Sequence, residues 1–142
     1  MGVDLGAKRT GLALSDATGT LARPYRVITD ATPLRAIVDE IARLQAEDDG
    51  LAAVVVGLPK RLDGSPNDQT PRAAKFVGLL RSRVTIPVVT LDERLTSVEA
   101  ESLLATREKD WRRRKERLDA AAAAVILQEF LDNAWRKDAD AS

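Results

Sequence analysis

Cysteine and histidine are both missing from this chain of 142 residues. Without cysteine there is no disulfide, no thiolate nucleophile and no Cys or Cys/His zinc site. Without histidine there is no imidazole acid–base and no Ser-His-Asp triad. Aromatic side chains make up only 4% of the chain, which limits stacking on exposed bases. Net charge is absent too, with 22 basic residues against 22 acidic ones, and that excludes a generally basic nucleic-acid coat. No apolar run approaches the ~20 residues that span a bilayer. The opening stretch Met1 to Gly11 carries Asp4, Lys8 and Arg9 in place of a signal peptide's apolar core. The expectation is a soluble, cytoplasmic protein with no membrane partner. Its chemistry is left to carboxylates, lysine, arginine, hydroxyls, backbone groups or a bound metal ion.

What is present fits a single domain. Chains near this length bury roughly 68–70% of their unfolded surface, and 44% of this one is hydrophobic. One domain is expected over residues 1–137, followed by a polar tail over 138–142. The charge is unevenly spread. Arg107 to Arg117 reads REKDWRRRKER, with seven basic and three acidic residues, and the rest of the chain is net acidic. Such a segment suits phosphate contact, with Arg112, Arg113, Arg114 and Lys115 as candidates and Trp111 as a stacking side chain. From charge alone, a solvated linker or helix face is the plainer explanation of the same run.

Hydrophobic periodicity orders the elements. Gly2 to Leu5, Thr10 to Ser15 and Leu21 to Thr29 read as three short strands joined by tight turns, an antiparallel meander. Pro24 implies that the third is an edge strand or bulged. Leu34, Ile37, Val38, Ile41 and Leu44 then repeat with helical spacing, and Pro33 suits the first turn. The continuous apolar run Leu51 to Leu58 predicts a strand covered on both faces. A helix over Thr70 to Arg83 follows, then a buried strand over Ile86 to Leu91. Thr96-Ser97-Val98-Glu99 is a capping-box pattern that opens a third helix. Leu118 to Trp135 predicts a last, alanine-rich helix, whose five consecutive alanines suit close approach to a sheet. The order β-β-β-α-β-α-β-α-α predicts an α/β fold. It is a mixed five-stranded sheet, three antiparallel strands then two parallel ones, with helices on both faces.

Ligand sites in such sheets favour the carboxyl ends of the parallel strands. Asp4 ends the first strand, Asp92 and Glu93 directly follow the strand ending at Leu91, and Asp119 opens the last helix. Carboxylates converging from separate segments repel one another unless a hard cation joins them, and Mg²⁺ and Mn²⁺ prefer such oxygen ligands. Two ions so held can activate water and stabilise the leaving oxygen of a phosphodiester. Each acid also has a plain explanation. Asp4 suits a turn, Asp119 a helix start, and Glu93 an ion pair with Arg94. Lys8 and Arg9, between Gly6 and Gly11, form neither a P-loop nor a Gly-x-Gly-x-x-Gly turn. They suit a hairpin that reaches a phosphate backbone. Gly57-Leu58-Pro59 with Asp63-Gly64 reads as a strand end running into a loop, either substrate-contacting or an ordinary turn.

Four motifs occur in order: Gly2 to Gly11, Val55 to Pro59 with Asp63-Gly64, Asp92 to Ala100, and Leu118 to Gln128. Together they resemble the bacterial YqgF/RuvX family, described as Holliday-junction-resolvase-like and as pre-16S rRNA nucleases. The resemblance implies an RNase H-like fold and a metal-dependent nuclease binding Mg²⁺ or Mn²⁺. Its catalytic and metal-binding acids would be Asp4, Glu93 and Asp119. Asp92 would be a further metal ligand, although adjacent residues on an extended segment point to opposite sides. Arg94 would orient an acid or touch phosphate, and Lys8 and Arg9 match the family's basic turn. Where relatives often show Lys-Gly before the last acid, this chain has Lys115-Glu116-Arg117-Leu118. The implied substrate is the 5′ end of pre-16S rRNA, with the protein a monomer or homodimer. The alternatives are a Holliday-junction resolvase and a non-catalytic RNA-binding ribosome-assembly factor. Gly-Val-Asp-Leu-Gly also resembles the first phosphate turn of sugar kinases and actin, but the second glycine-rich motif and second domain of that fold are missing.

Overall fold

The structure is a computed structural model that describes residues 1–6, 8–30, 32–47, 49–61, 63–93 and 120–133. Its elements are β1 (Gly2–Leu5), β2 (Thr10–Ser15), β3 (Ala22–Ile28), α1 (Leu34–Gln45), β4 (Val54–Pro59), α2 (Thr70–Arg81) and β5 (Val88–Glu93). Residues 120–133 are helical. The strands form one sheet in the order β3-β2-β1-β4-β5. β1 pairs antiparallel with β2 and β2 with β3, whereas β4 runs parallel to both β1 and β5. The mixed five-stranded sheet expected from the sequence is therefore present. The capping-box helix, the basic stretch and the tail lie outside the described residues.

Pro24 sits where its missing N–H costs least. β3 is an outer strand, and the β2–β3 register shifts between Leu12 and Ala13, whose partners are Arg26 and Pro24. The central strands β1 and β4 are covered on both faces. Val3, Leu5, Val54 and Val56 share a core with Ile37, Ile41 and Leu44 of α1 and with Phe76, Val77 and Leu80 of α2. Ala13 and Val55 share a second core with Ala123, Ile126, Leu127 and Leu131 on the opposite face. The alanine run does what its small side chains allow. Gly2 lies so close beneath this helix that an added Cβ would meet the Ala123 carbonyl oxygen at 2.6 Å and the Leu127 Cβ at 2.8 Å.

Two strands depart most from the sequence expectation. β4 begins at Val54 and not at Leu51, because pairing with β5 starts at Val54 and with β1 at Val55. β5 runs from Val88 to Glu93 and not from Ile86 to Leu91. It is also the outer described strand on its side, and of residues 88–92 only Val88 is buried. Pairing with β4 carries it forward, with Leu58 opposite Asp92 and Pro59 opposite Glu93. The two acids therefore lie within the strand, not after it.

Candidate active site at the carboxyl edge of the sheet

Strand alternation sorts the acids by face. Val3 and Leu5 point into the core under α1 and α2, so Gly2 and Asp4 lie on the face covered by the helix of residues 120–133. On β5, Val89 and Leu91 pack against that same helix side, whereas Val88 belongs to the α1–α2 side. Position 93 thus falls on the face of Asp4, and Asp92 on the other. The register adds nearness along the chain direction. Val3 lies beside Val56, and Val56 beside Thr90, so Asp4 comes level with Gly57 and Leu91, one pleat short of position 93.

The helix of residues 120–133 runs antiparallel to β1. Leu127, Phe130 and Leu131 border a cleft with Met1, Ala53 and Val55 at the amino ends of β1 and β4. The amino end of the helix therefore points to the carboxyl edge, where Asp4 stands half-buried. Gln128 ties this helix to the β2–β3 turn. Its Oε1 accepts from the Ala22 N–H at 2.9 Å and its Nε2 donates to the Thr20 carbonyl at 2.9 Å. The Glu93 side chain and Asp119 lie outside the described residues, as do Arg94 and Arg112 to Lys115. Among the described residues no group of three or more carboxylates is assembled.

Asp92 has a separate environment. Its Oδ1 lies 3.0 Å from the Nζ of Lys60, which immediately follows β4. Lys60 also bridges to Pro66, and the Arg61 N–H donates to the Ser65 carbonyl at 2.9 Å, closing a tight hairpin in which Gly64 takes φ 87°. Only glycine adopts that φ without strain. The Asp63-Gly64 segment is therefore a built turn.

The basic turn after β1 is compact. The Gly6 N–H donates to the Arg9 carbonyl at 2.9 Å, and a Cβ on Gly6 would sit 2.4 Å from that oxygen. Lys8 is exposed, and Arg9 is half-buried with its Nη1 enclosed and without a hydrogen-bond partner among the described residues. The sequence reading missed Arg72, at the start of α2. Its Nη1 donates to the Gly6 carbonyl at 2.7 Å. It stands in the first turn of α2, and a lone arginine on a helix carries no sequence signal that singles it out.

A family profile described as "RuvX: Holliday junction resolvase" matches residues 1–133. A protein of Pelotomaculum thermopropionicum named "Putative pre-16S rRNA nuclease" is 41% identical over 96% of this chain and 88% of its own length. Proteins of the same name from Desulforudis audaxviator and Chloroflexus aggregans are 40% and 42% identical, over 94% and 93% of this chain and 93% and 92% of theirs. Among solved structures, T. thermophilus RuvC in complex with a Holliday junction substrate is similar, with a TM-score of 0.52 and 16% identity. That match covers 94% of this chain and 93% of RuvC, a likeness of fold.

Proposed function

The chain belongs to the RuvX Holliday junction resolvase family, and from that membership we propose that it is a divalent-metal-dependent nuclease acting in 5′-end maturation of pre-16S rRNA. One observation carries the reading: Asp4 and position 93 share a sheet face at the edge toward which the helix of residues 120–133 directs its amino end. Asp4, Glu93 and Asp119 would hold Mg²⁺ or Mn²⁺, and a donor set of carboxylate oxygens alone fits such hard cations. The bound metal would supply the activated water and stabilise the leaving oxygen. Asp92 belongs to this set less directly, since Lys60 engages it on the other face.

The residues around the acids support binding of a polyanion. Lys8 and Arg9 stand on the turn that leaves β1, and Arg94 with Arg112 to Lys115 would extend the contact to the phosphate backbone. With histidine and cysteine missing, the chain has no imidazole or thiolate to activate water, so the carboxylates and their metal carry that role. The same proposal includes a cytoplasmic location and a monomer or homodimer. Among the described residues no helix is long and apolar enough to cross a membrane.

The test offers the protein a pre-16S 5′-leader RNA, single-stranded DNA and a four-way junction, each with Mn²⁺, Mg²⁺ or EDTA. The leader RNA is cut with a divalent ion and left intact in EDTA. Asp4→Asn folds but loses at least about 100-fold in rate, since even residues that only support metal ligands cost 10–100-fold. Cleavage that survives EDTA, or a fully active Asp4→Asn, overturns the metal–carboxylate reading. Cleavage confined to the junction replaces the RNA substrate with a recombination intermediate, and inactivity on all three leaves an RNA-binding assembly factor.

A further inference from the structure

The Arg72–Gly6 hydrogen bond links α2 directly to the turn that follows Asp4. α2 is mounted firmly at its amino end. The Asn67 N–H donates to Thr70 Oγ1 at 2.9 Å, and the Thr70 hydroxyl donates to the Pro59 carbonyl at the end of β4. Phe76, Val77 and Leu80 anchor the rest of the helix in the core. Arg72 therefore projects from a rigid base, and its Nη1 reaches the Gly6 carbonyl across 66 positions of sequence. Gly6 is held twice, by Arg72 at its carbonyl and by the Arg9 carbonyl at its N–H. The turn between those contacts carries exposed Lys8 and half-buried Arg9, whose enclosed Nη1 has no hydrogen-bond partner among the described residues. A cation spent on a neutral carbonyl within two residues of Asp4 serves placement more than charge pairing.

We propose that Arg72 is a positioning residue that locks the Gly6–Arg9 turn so that Lys8 and Arg9 meet the nucleic-acid backbone in register with Asp4. The inference rests on the nucleic-acid reading above. It adds a residue on another element that acts through the turn without itself touching phosphate. The geometry separates these roles. A phosphate-contacting arginine contributes one released counterion to the salt dependence of binding, whereas a positioning residue changes affinity through the residues it places. Its effect must then vanish when those residues are gone.

The experiment is a double-mutant cycle on binding of a labelled single-stranded RNA, measured in EDTA so that no cleavage intervenes, across a range of salt concentrations. Arg72→Met is expected to weaken binding about five- to tenfold in the wild-type background and to have almost no effect in a Lys8→Ala/Arg9→Ala background, a coupling of the size seen for residues in contact. Arg72→Lys, which keeps a donor for the single bond to Gly6, is expected to restore most of the affinity. Removing Lys8 and Arg9 lowers the salt slope, and Arg72→Met leaves it near the wild-type value. An Arg72→Met effect that persists undiminished in the Lys8→Ala/Arg9→Ala background overturns the proposal, as does a drop in salt slope of about 1 on Arg72→Met alone. Unchanged binding by a folded Arg72→Met overturns it as well. If Arg72→Met does not fold, Arg72→Lys decides, with tenfold loss despite retained charge and donor counting against it. Failure of the wild type to bind RNA at all removes both readings, whereas RNA binding without metal-dependent cleavage removes only the nuclease.

Discussion

Gly2 shows how one missing side chain sets the distance between two layers. Its Cα lies beneath the helix of residues 120–133, and any Cβ would collide with the Ala123 carbonyl oxygen, a backbone atom that cannot swing away. Gly2→Ala is expected to destabilise the fold by about 1–3 kcal/mol through overpacking, measured by urea denaturation. A variant as stable as the wild type would mean that the helix is not seated this closely. The same scale explains how the two adjacent acids differ. Asp92 and Glu93 read alike in sequence, but one pleat sends Asp92 to Lys60 and puts position 93 on the face of Asp4. Residue-level alternation was legible before the structure, and it already set Glu93 apart. The partner of Asp92 was not legible, because Lys60 follows another strand, 32 positions earlier in the chain.

At the scale of elements, β3 and α1 are joined by a buried carboxylate that hydrophobic periodicity passed over. Glu40 falls in the buried stripe of α1 with Ile37, Ile41 and Leu44. It accepts hydrogen bonds from the Tyr25 hydroxyl and the Arg43 guanidinium, and from Arg26 Nη1 at 3.1 Å. The Arg43 hydrogen bond, helped by the Tyr25 hydroxyl and the charges of Arg43 and Arg26, holds its carboxyl below the usual glutamate range against the cost of desolvation. Hydrogen bonds to a charged group contribute about 1.5–3 kcal/mol, and solvent screening at the half-exposed arginines trims that. Glu40→Gln is therefore expected to cost about 1–2 kcal/mol at neutral pH. A lowered carboxyl pKa stabilises the fold above the ordinary value of 4.5 and ceases to do so as pH falls through the lower folded value. The gap between wild type and Glu40→Gln should thus stay constant from pH 7 to about 5 and close at more acid pH. Thermal melts of both proteins across pH check this, and a gap that widens in acid would contradict the ion-pair account.

For the whole molecule, the decisive fact is that β1, β5 and the helix of residues 120–133, far apart in sequence, meet one edge of the sheet. A parallel β1–β4–β5 arrangement aligns strand ends, and an antiparallel helix brings its amino end back to them. If a divalent cation is held there, it binds only the folded chain, and binding must raise stability. At a cation concentration 100 times its dissociation constant the gain is about 2.7 kcal/mol. Mn²⁺ is expected to raise the melting temperature of the wild type and to leave that of Asp4→Asn unchanged. Equal shifts in both proteins would place the cation elsewhere.

Among the described residues, the amino-acid sequence by itself determined the strands, the helices and their order, because periods of 2 and 3.6 and the placement of proline and glycine are local properties. It also determined the chemistry left to the chain, since the lack of histidine and cysteine leaves only oxygen and cationic groups. Only the tertiary structure decided where β5 ends, which lysine engages Asp92, that Glu40 is buried among cations, and that Arg72 reaches Gly6. Each of these depends on which strand or helix lies alongside, and pairing energy between segments distant in sequence has no local signature.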